Sequence, residues 1–478
     1  YLNFRYLNIR IFTFFYALIL IELRLVENFL SFREETEFNM IAGNLRTHTN
    51  HVYDYPVKLL RAGAIYGANG AGKSNLIKAI SYLKDLVEEG EVTQSVNSKK
   101  FKLDQSYLSK PVFFEIEITV ENKFYSYGVR IDGVTILEEY LYETGNIKED
   151  KLVFHRQRTT ENKTAIQFEK SFVKTKKNQL LIQLLEDNIL LLNQLLLSKY
   201  DILNHDIVSS VWDEIVENII VIYPETKFAG LTELYSYRQS FKHLANNLLN
   251  SFNTGIERLE EQEIPFDQYF GEDYKKSKEN ILITLEEENS VSLYDPSLES
   301  NVVITKNDNG DVVVKKLIAQ HLDINGIEVP FELQEESDGT KRLFDFIPAL
   351  VSVLLTDVTY IIDEIDQSLH PVLLKTLLAR FLADNEVMGQ LIFTTHESNL
   401  LDLNMLRQDE IWFVEKSEET KASQIYSLND FKPRSDLDIK KGYLQGRFGA
   451  IPFTGDLEKL SWDLEDEVYE NIADQNYN

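Results

Sequence analysis

Gly67-Ala-Asn-Gly-Ala-Gly-Lys73-Ser74 follows the pattern G-x-x-x-x-G-K-[ST], and its surroundings leave few folds open. Before it runs Ala64-Ile65-Tyr66, a short apolar strand candidate; after it Leu76, Ile77, Ile80, Leu83 and Val87 recur at helical spacing. The chain must therefore place a strand, a glycine loop and a helix in direct succession. Such a loop, here Gly67, Ala68, Asn69, Gly70, Ala71 and Gly72, turns successive backbone N–H groups inward on phosphates, and the helix that follows adds its positive dipole end. Lys73 is then placed to reach the β- and γ-phosphates of ATP, and the Ser74 hydroxyl to take one position on Mg²⁺. The competing reading is a glycine-rich turn with an exposed lysine. A chance match in a chain this long has a probability of roughly a few per cent at average composition.

The 478 residues allow two or three domains, and 44% hydrophobic with 12% aromatic residues excludes a disordered or fibrous chain. Cysteine is absent, which removes disulfides, thiolate metal sites and a cysteine nucleophile and suits a reducing cytoplasm. The formal charge of −28, from 49 Lys+Arg against 77 Asp+Glu, opposes non-specific attraction to nucleic acid. Lys174-Thr-Lys-Lys177 and Lys275-Lys276-Ser-Lys278 are the basic runs that could offset it locally, although runs this short are usually solvated faces. Ile11 to Ile21 is apolar, but Arg10 and Glu22 bracket it too closely for a spanning helix of about 20 residues. No membrane role is expected. Residues 1–20 read as an uncertain N-terminal extension, since the first methionine is Met40, and the alternation Leu20-Ile21-Glu-Leu23-Arg-Leu25 opens a strand.

A second half of a nucleotide site stands far downstream. Thr359-Tyr-Ile-Ile-Asp363-Glu364 is an apolar strand ending in two carboxylates. Asp363 is the candidate Mg²⁺ ligand and Glu364 the candidate base that orients or deprotonates the attacking water. Either could instead be an acid at a helix N-terminus. Leu391-Ile-Phe-Thr-Thr395 is a further strand, and His396 at its tip could donate a hydrogen bond to the γ-phosphate. Between the two halves, Glu335-Glu-Ser337-Asp-Gly339-Thr-Lys341-Arg342 opens a helix carrying Phe346, Ile347, Leu350 and Leu354 at helical spacing. This is a second candidate anion-binding helix start in a chain with one P-loop. A two-fold dimer accommodates both, with Ser337 and Gly339 of one subunit closing over the nucleotide held by Lys73 of the other. A plain N-cap by Ser337 or Asp338 is the alternative.

The ordered set resembles ABC-type ATPases of the RecF, SMC and OLD kind, and among them the bacterial AAA-labelled ATP-binding proteins typified by RloA and the abortive-infection protein AbiLi. Val26-Glu-Asn-Phe-Leu-Ser-Phe32, the P-loop, Ser337 to Arg342, Asp363-Glu-Ile-Asp-Gln-Ser-Leu-His-Pro371, Thr394-Thr-His-Glu397 and Lys441 to Phe453 carry the resemblance. It implies an α/β fold, an ABC-type P-loop NTPase with a β-subdomain and an inserted helical subdomain. It also implies that Asp366-Gln367-Ser368 couples two sites across a homodimer or higher oligomer, and that a companion effector of the RloB kind is the partner. The signature departs from the transporter form, reading Ser-Asp-Gly-Thr-Lys, and Gln105 is the candidate Q-loop glutamine.

Residues 75–336 are more than a compact ATPase core needs between its motifs. The expected organisation is a first core part with an antiparallel β-subdomain over 21–170, a helical insertion over 171–295, and a second core part with tail over 296–478. Phe114-Glu-Ile-Glu-Ile-Thr-Val120 and Tyr125 to Ile131 alternate like antiparallel strands. Leu180, Leu181, Leu184, Leu185, Ile189, Leu192, Leu195 and Leu196 suggest one helix over 178–199, the core of a helical subdomain or a partner interface. Helical material is expected from Ser240 to Asn253, a loop at Glu286-Glu-Glu288 and Asp295-Pro296, and a hairpin turn at Asn307-Asp-Asn-Gly310.

The function expected from this reading is an ATP-hydrolysing dimeric switch that controls a separate effector in anti-phage defence. A RecF-like repair ATPase, with DNA as partner, is the alternative. An OLD-like nuclease would need Asp436-Leu-Asp438 as metal ligands, and that pair sits in a polar stretch instead of at a strand end.

Overall fold

The computed structural model describes residues 21–450 except 55–56, 146–149, 160–162, 170–182, 198–204, 227–230, 253, 272–274, 288, 296–297, 299, 357, 368, 385–386, 388 and 435–436. The N-terminal extension, Lys174 to Lys177, Ser368, Asp436 and the tail beyond Ala450 lie outside the described residues.

The P-loop strand Ala62–Tyr66 sits inside a six-stranded sheet. Its order is Ile219–Ile222, Thr359–Ile362, Gln390–Thr395, Ala62–Tyr66, Ile411–Lys416 and Ser423–Ser427. The first five strands run parallel and the last is antiparallel. Parallel strands covered on both faces need apolar residues throughout, and Thr359–Ile362 and Gln390–Thr395 are buried along their whole length. Side chains nevertheless alternate between two cores, as the period-2 geometry of a strand requires. Ala62, Ala64, Tyr66, Tyr360, Ile362, Leu391 and Phe393 enter one core with the helices Leu231–Tyr237, Gln239–Ser251, Asp338–Leu355 and Pro371–Ala383. Ile65, Ile361 and Ile392 enter the other, with the P-loop helix Lys73–Glu89 and an antiparallel sheet.

That second sheet runs in sequence order through Ile21–Glu27, Val112–Val120, Lys123–Asp132, Thr135–Thr144, Lys151–Arg158 and Thr164–Phe168. Its first tight turn places Glu121 and Asn122 at φ 50° and 64°, the two positive values that a two-residue hairpin of matching twist requires. It is the expected β-subdomain, packed over the P-loop helix. A third antiparallel sheet contains Ile256–Pro265, Val312–Leu322, Ser300–Lys306, Ser290–Asp295 and Glu328–Glu332. Its turn at Asn307–Gly310 is the expected one, closed by the Asn307 N–H to the Asp311 carbonyl at 2.9 Å. These layers make the chain an α/β fold of the ABC-type P-loop NTPase class.

Three expectations need correction. The stretch 171–295 is not purely helical: Ile219–Ile222 joins the P-loop sheet beside Thr359–Ile362, and Ile256–Pro265 and Ser290–Asp295 belong to the third sheet. Pairing with a distant partner decided these strands, which no local periodicity announces. Nor do the leucines over 178–199 form one helix. Residues 185–190 are non-helical, and the described helix is Leu191–Leu197. Tertiary bonds take up the backbone here: Arg156 donates to the carbonyls of Glu186 (3.0 Å) and Ile189 (2.6 Å), the Ile136 N–H to Asp187 and the Val92 N–H to Asn188 (2.8 Å each). Leu190, Leu191, Leu192 and Leu195 are buried in the core shared by the P-loop helix and the β-subdomain, while Leu184 is exposed. The acidic run also shifts, since Glu286 and Glu287 end the helix Lys275–Glu287. Among the described residues, no helix is long and apolar enough to cross a membrane.

Candidate active site

Three adjacent parallel strands end at one place. Tyr66 leads into the glycine loop, Thr395 of the neighbouring strand leads into His396, and Ile362 of the next leads into Asp363. Open parallel sheets place ligands at the carboxyl ends of their strands, and here those ends carry all the cis candidates from the sequence.

The glycines are held by contact as well as by conformation. A Cβ on Gly67 would stand 2.3 Å from the Val414 carbonyl oxygen. Gly72 has φ +121°, and its Cβ would meet Ser423 Oγ at 2.2 Å and Ser31 Oγ at 2.9 Å. Those two serines clamp the start of the P-loop helix. Ser423 Oγ donates to the Ala71 carbonyl (2.5 Å) and accepts from Ser31 Oγ (2.8 Å), and Asn75 Nδ2 donates to Ser31 Oγ (2.8 Å). No side chain caps this helix at Gly72, so its first N–H groups stay available to an anion. Ala68, Asn69 and Gly70 line the outward part of the loop, with Asn69 and Gly70 exposed.

Lys73 is buried and folded back on the loop, its Nζ donating to the carbonyls of Gly67 (2.8 Å) and Ala68 (3.3 Å). The same nitrogen lies 3.0 Å from His396 Nε2. Burial lowers the Lys73 pKa to about 8, against the opposing pull of Asp363, Glu364 and Asp366. Desolvation and the Lys73 charge lower that of His396. The pair is therefore a charged lysine donating to a neutral imidazole at neutral pH. Phosphate oxygens would replace the carbonyls and the ring as acceptors for Lys73 and restore its basicity.

Asp363 is buried and accepts a 2.5 Å hydrogen bond from Thr394 Oγ1. The same hydroxyl accepts the Glu364 N–H at 2.8 Å. Glu364 has φ +51°, a left-handed conformation that costs a non-glycine residue roughly 1–3 kcal/mol and survives only where neighbours impose it. Thr394 and the 3.0 Å bond from the Ile365 N–H to the Thr394 carbonyl impose it here. Asp366 then accepts the His396 N–H at 3.2 Å, linking the acidic turn to the histidine. Thr394, Ser31 and Ser423 have no functional periodicity in the sequence; only the register between strands singles them out.

Ser74 and Asp363 offer hard oxygen donors, and a buried carboxylate with one oxygen committed to Thr394 leaves the other for an ion. Among the described residues, no group of three or more His, Cys, Asp or Glu forms a metal cluster. That set suits Mg²⁺, which keeps waters and shares phosphate oxygens instead of filling an all-protein cage.

Ser337 and Gly339 lie elsewhere. They open the helix Asp338–Leu355, where Ser337 is exposed and its Oγ accepts the Thr340 N–H at 3.2 Å. Among the described residues, no hydrogen bond joins either to the P-loop. Arg342 connects this helix inward: it donates to the carbonyls of Tyr223 (3.1 Å) and Thr226 (3.2 Å), directly after the strand whose Ile222 carbonyl accepts the Asp363 N–H at 2.8 Å. Gln105, the candidate Q-loop residue, is exposed in the short turn Gln105–Tyr107 capped by Asp104. Asp438 caps the helix Ile439–Leu444 through the Lys441 N–H at 2.9 Å, a structural task in place of the metal role.

The family described as "AAA domain, putative AbiEii toxin, Type IV TA system" matches residues 64–189 and 217–402, well over half of the chain. The chain belongs to this family. No curated protein matches the sequence. Among solved structures, the SMC head domain from Thermotoga maritima is similar at 12% identity and a TM-score of 0.38, covering 85% of this chain and 98% of that one. An SmcHead bound to the C-winged helix domain of ScpA is similar at 15% identity and 0.37, covering 86% and 99%. At that overlap the fold rests on the strand order and loop described above. Membership of this AAA family together with an intact P-loop makes the chain a P-loop ATPase-family protein, and such domains generally bind ATP with Mg²⁺.

Proposed function

We propose that the chain is a dimeric ATP switch, in which nucleotide bound at the P-loop of one subunit is completed by Ser337 and Gly339 of a second. The observation that carries this reading is the division of the site. Lys73, Asp363, Glu364 and His396 converge within one chain, whereas the second candidate anion-binding helix start is exposed and, among the described residues, hydrogen-bonds to none of them. Its Ser337 hydroxyl accepts from the Thr340 N–H and shares a 2.9 Å hydrogen bond with Thr340 Oγ1; with Thr340 as the donor of that bond, the Ser337 proton can go to a phosphate.

In this reading Gly67 to Gly72 and Lys73 hold the phosphates. Mg²⁺ at Ser74 and Asp363 neutralises charge on the β- and γ-phosphates. Glu364 orients the attacking water and accepts its proton, and His396 donates to the γ-phosphate once Lys73 has turned from the imidazole to the nucleotide. ATP shifts the population to the closed dimer because only that state offers it both halves of the cage. The experiment is light scattering of Glu364→Gln with ATP and Mg²⁺: a stable dimer is expected, and a protein that stays monomeric overturns the two-subunit site.

The output assigned to the switch is control of a separate effector, of the RloB kind, in cytoplasmic anti-phage defence. The family description, which names a toxin of a toxin–antitoxin system, supports that class of role. The charge of −28 disfavours the RecF-like reading, in which DNA would be the partner. Salt-sensitive DNA binding in the presence of ATP would reverse that preference.

A further inference from the structure

The strands Val312–Leu322 and Glu328–Glu332 form a hairpin that runs directly into the Ser337 loop. At its end Leu322, Ile324, Ile327, Val329 and Phe331 are exposed, Ile324 completely at 101% relative exposure. Apolar side chains gathered this way on a strongly acidic chain mark a surface that is covered in use. Its edge is not built to extend a sheet, because Pro330 lacks a donor and Glu328 and Glu332 flank it. Contact must come through side chains.

Position and charge indicate what covers it. His321 packs against Phe331 with tilted rings whose centroids are 4.7 Å apart, and its Nε2 lies 2.6 Å from Glu336 Oε1, immediately before Ser337. The hairpin is thereby fastened to the loop that closes over a second subunit. Residues 322–338 carry Asp323, Glu328, Glu332, Glu335, Glu336 and Asp338 and no Lys or Arg.

The complement lies beside the P-loop. Residues 99–110 carry Lys99, Lys100, Lys102 and Lys110 against the single acid Asp104, and expose Leu103 and Leu108. This segment is tied to the turn that clamps the P-loop helix. The Leu30 N–H donates to the Lys99 carbonyl (2.7 Å), Asn28 Nδ2 to those of Tyr107 (2.8 Å) and Lys110 (3.0 Å), and Ser31 belongs to the same turn. Glu328 and Glu332 already face Arg258 and Lys316, and Lys100 faces Asp132. Asp338 likewise faces Lys341 at 3.6 Å, so the charge left to an interface is that of Asp323 and Glu335 against Lys99, Lys102 and Lys110. A two-fold axis that brings each Ser337 loop to the opposite P-loop brings these flanking surfaces together twice.

We infer that the 312–332 hairpin docks on the Lys99–Lys110 segment of a second copy of this chain, its apolar tip against Leu103 and Leu108 within a ring of opposite charge. The inference rests on the two-subunit reading and adds to it a surface outside the nucleotide cage. Complementary rim charges act mainly on association rate and are screened by salt.

The absence of cysteine makes the test clean, since introduced thiols stand alone. Ile324→Cys and Leu108→Cys proteins, each also carrying Glu364→Gln, are mixed with ATP, Mg²⁺ and a flexible bismaleimide. A covalent dimer formed only in the mixture, and only with ATP, is expected. Asn69→Cys mixed with Asp338→Cys serves as the parallel reporter of the nucleotide sandwich. If that pair links and the hairpin pair does not, the docking surface is wrong and the sandwich stands; if neither links, both are wrong. A hairpin link without the reporter link keeps the surface and removes the sandwich. Lys102→Glu with Lys110→Glu should weaken ATP-dependent dimerisation about tenfold at low salt and less at high salt, with an unchanged melting curve. Undiminished dimerisation at low salt would overturn the charge complementarity.

Discussion

The two candidate phosphate-binding helix starts, Gly72–Lys73 and Ser337–Gly339, are built in opposite ways. The first is enclosed: Val414, Ser423 and Ser31 pack on its glycines, Lys73 is buried, and no side chain caps it. The second is open, and caps itself through Ser337 Oγ to the Thr340 N–H. A cradle whose own fold leaves its donors unspent is prepared for an anion before one arrives. A helix start already satisfied at the surface gains from an anion only when another body carries it there. On the proposed two-subunit reading, the contrast separates binding, a property of one chain, from completion, a property of two.

Mutations at the enclosed start should act first and most. Lys73→Ala removes the charge and the group that bridges loop and histidine, so ATP binding by calorimetry is expected to fall below detection. Retained micromolar affinity would place the phosphates elsewhere. Glu364→Gln should bind ATP as before yet hydrolyse it about 10²-fold or more slowly, measured as phosphate release. Thr394→Val leaves a side chain of similar shape but removes the bonds to Asp363 and the Glu364 N–H. A roughly tenfold or greater loss in kcat with little change in ATP affinity is expected, following the scale of a lost hydrogen bond to a charged group.

Ser337→Ala sharpens the comparison directly. Loss of the cap costs on the order of 1 kcal/mol of stability. Steady-state hydrolysis should fall while ATP binding to the monomer stays level; a drop in monomer affinity would show that the two starts act in one chain. The mildest effect is that of pH. Free Lys73 loses its proton above about 8, whereas phosphate contact holds it, so binding takes up a proton in that range. The Kd for ATP should be level below pH 8 and rise above it, by up to about tenfold per pH unit. A flat profile to pH 9 would mean that the lysine in solution is not desolvated as it is here.

The same contrast explains how much was readable in advance. The P-loop, its strand and its helix are contiguous, so glycine spacing and the recurrence of Leu76, Ile77, Ile80, Leu83 and Val87 were sufficient, and those five are buried on one helix. Asp363 and His396 were readable because each ends an apolar strand. Thr394, Ser31 and Ser423 were not, since their partners lie 30 or more residues away and arrive only through strand register. The leucines of 178–199 misled for a related reason. Apolar density records burial but not backbone path, and long-range bonds from Arg156 and to Asp187 and Asn188 draw 185–190 out of a helix.

By itself, the sequence determined the phosphate loop, the acidic strand end, the histidine beyond it and the P-loop class, because each depends on short-range geometry that neighbouring residues dictate. Only the tertiary structure decided that Ile219–Ile222 enters the central sheet, that Thr394 fastens the acidic turn, that Arg342 ties the Ser337 helix to the strand beside Asp363, and that Ser337 spends its oxygen on the Thr340 N–H. Those outcomes depend on which distant strands pair and in what register, a choice made by the burial of whole faces and by backbone groups finding partners far along the chain.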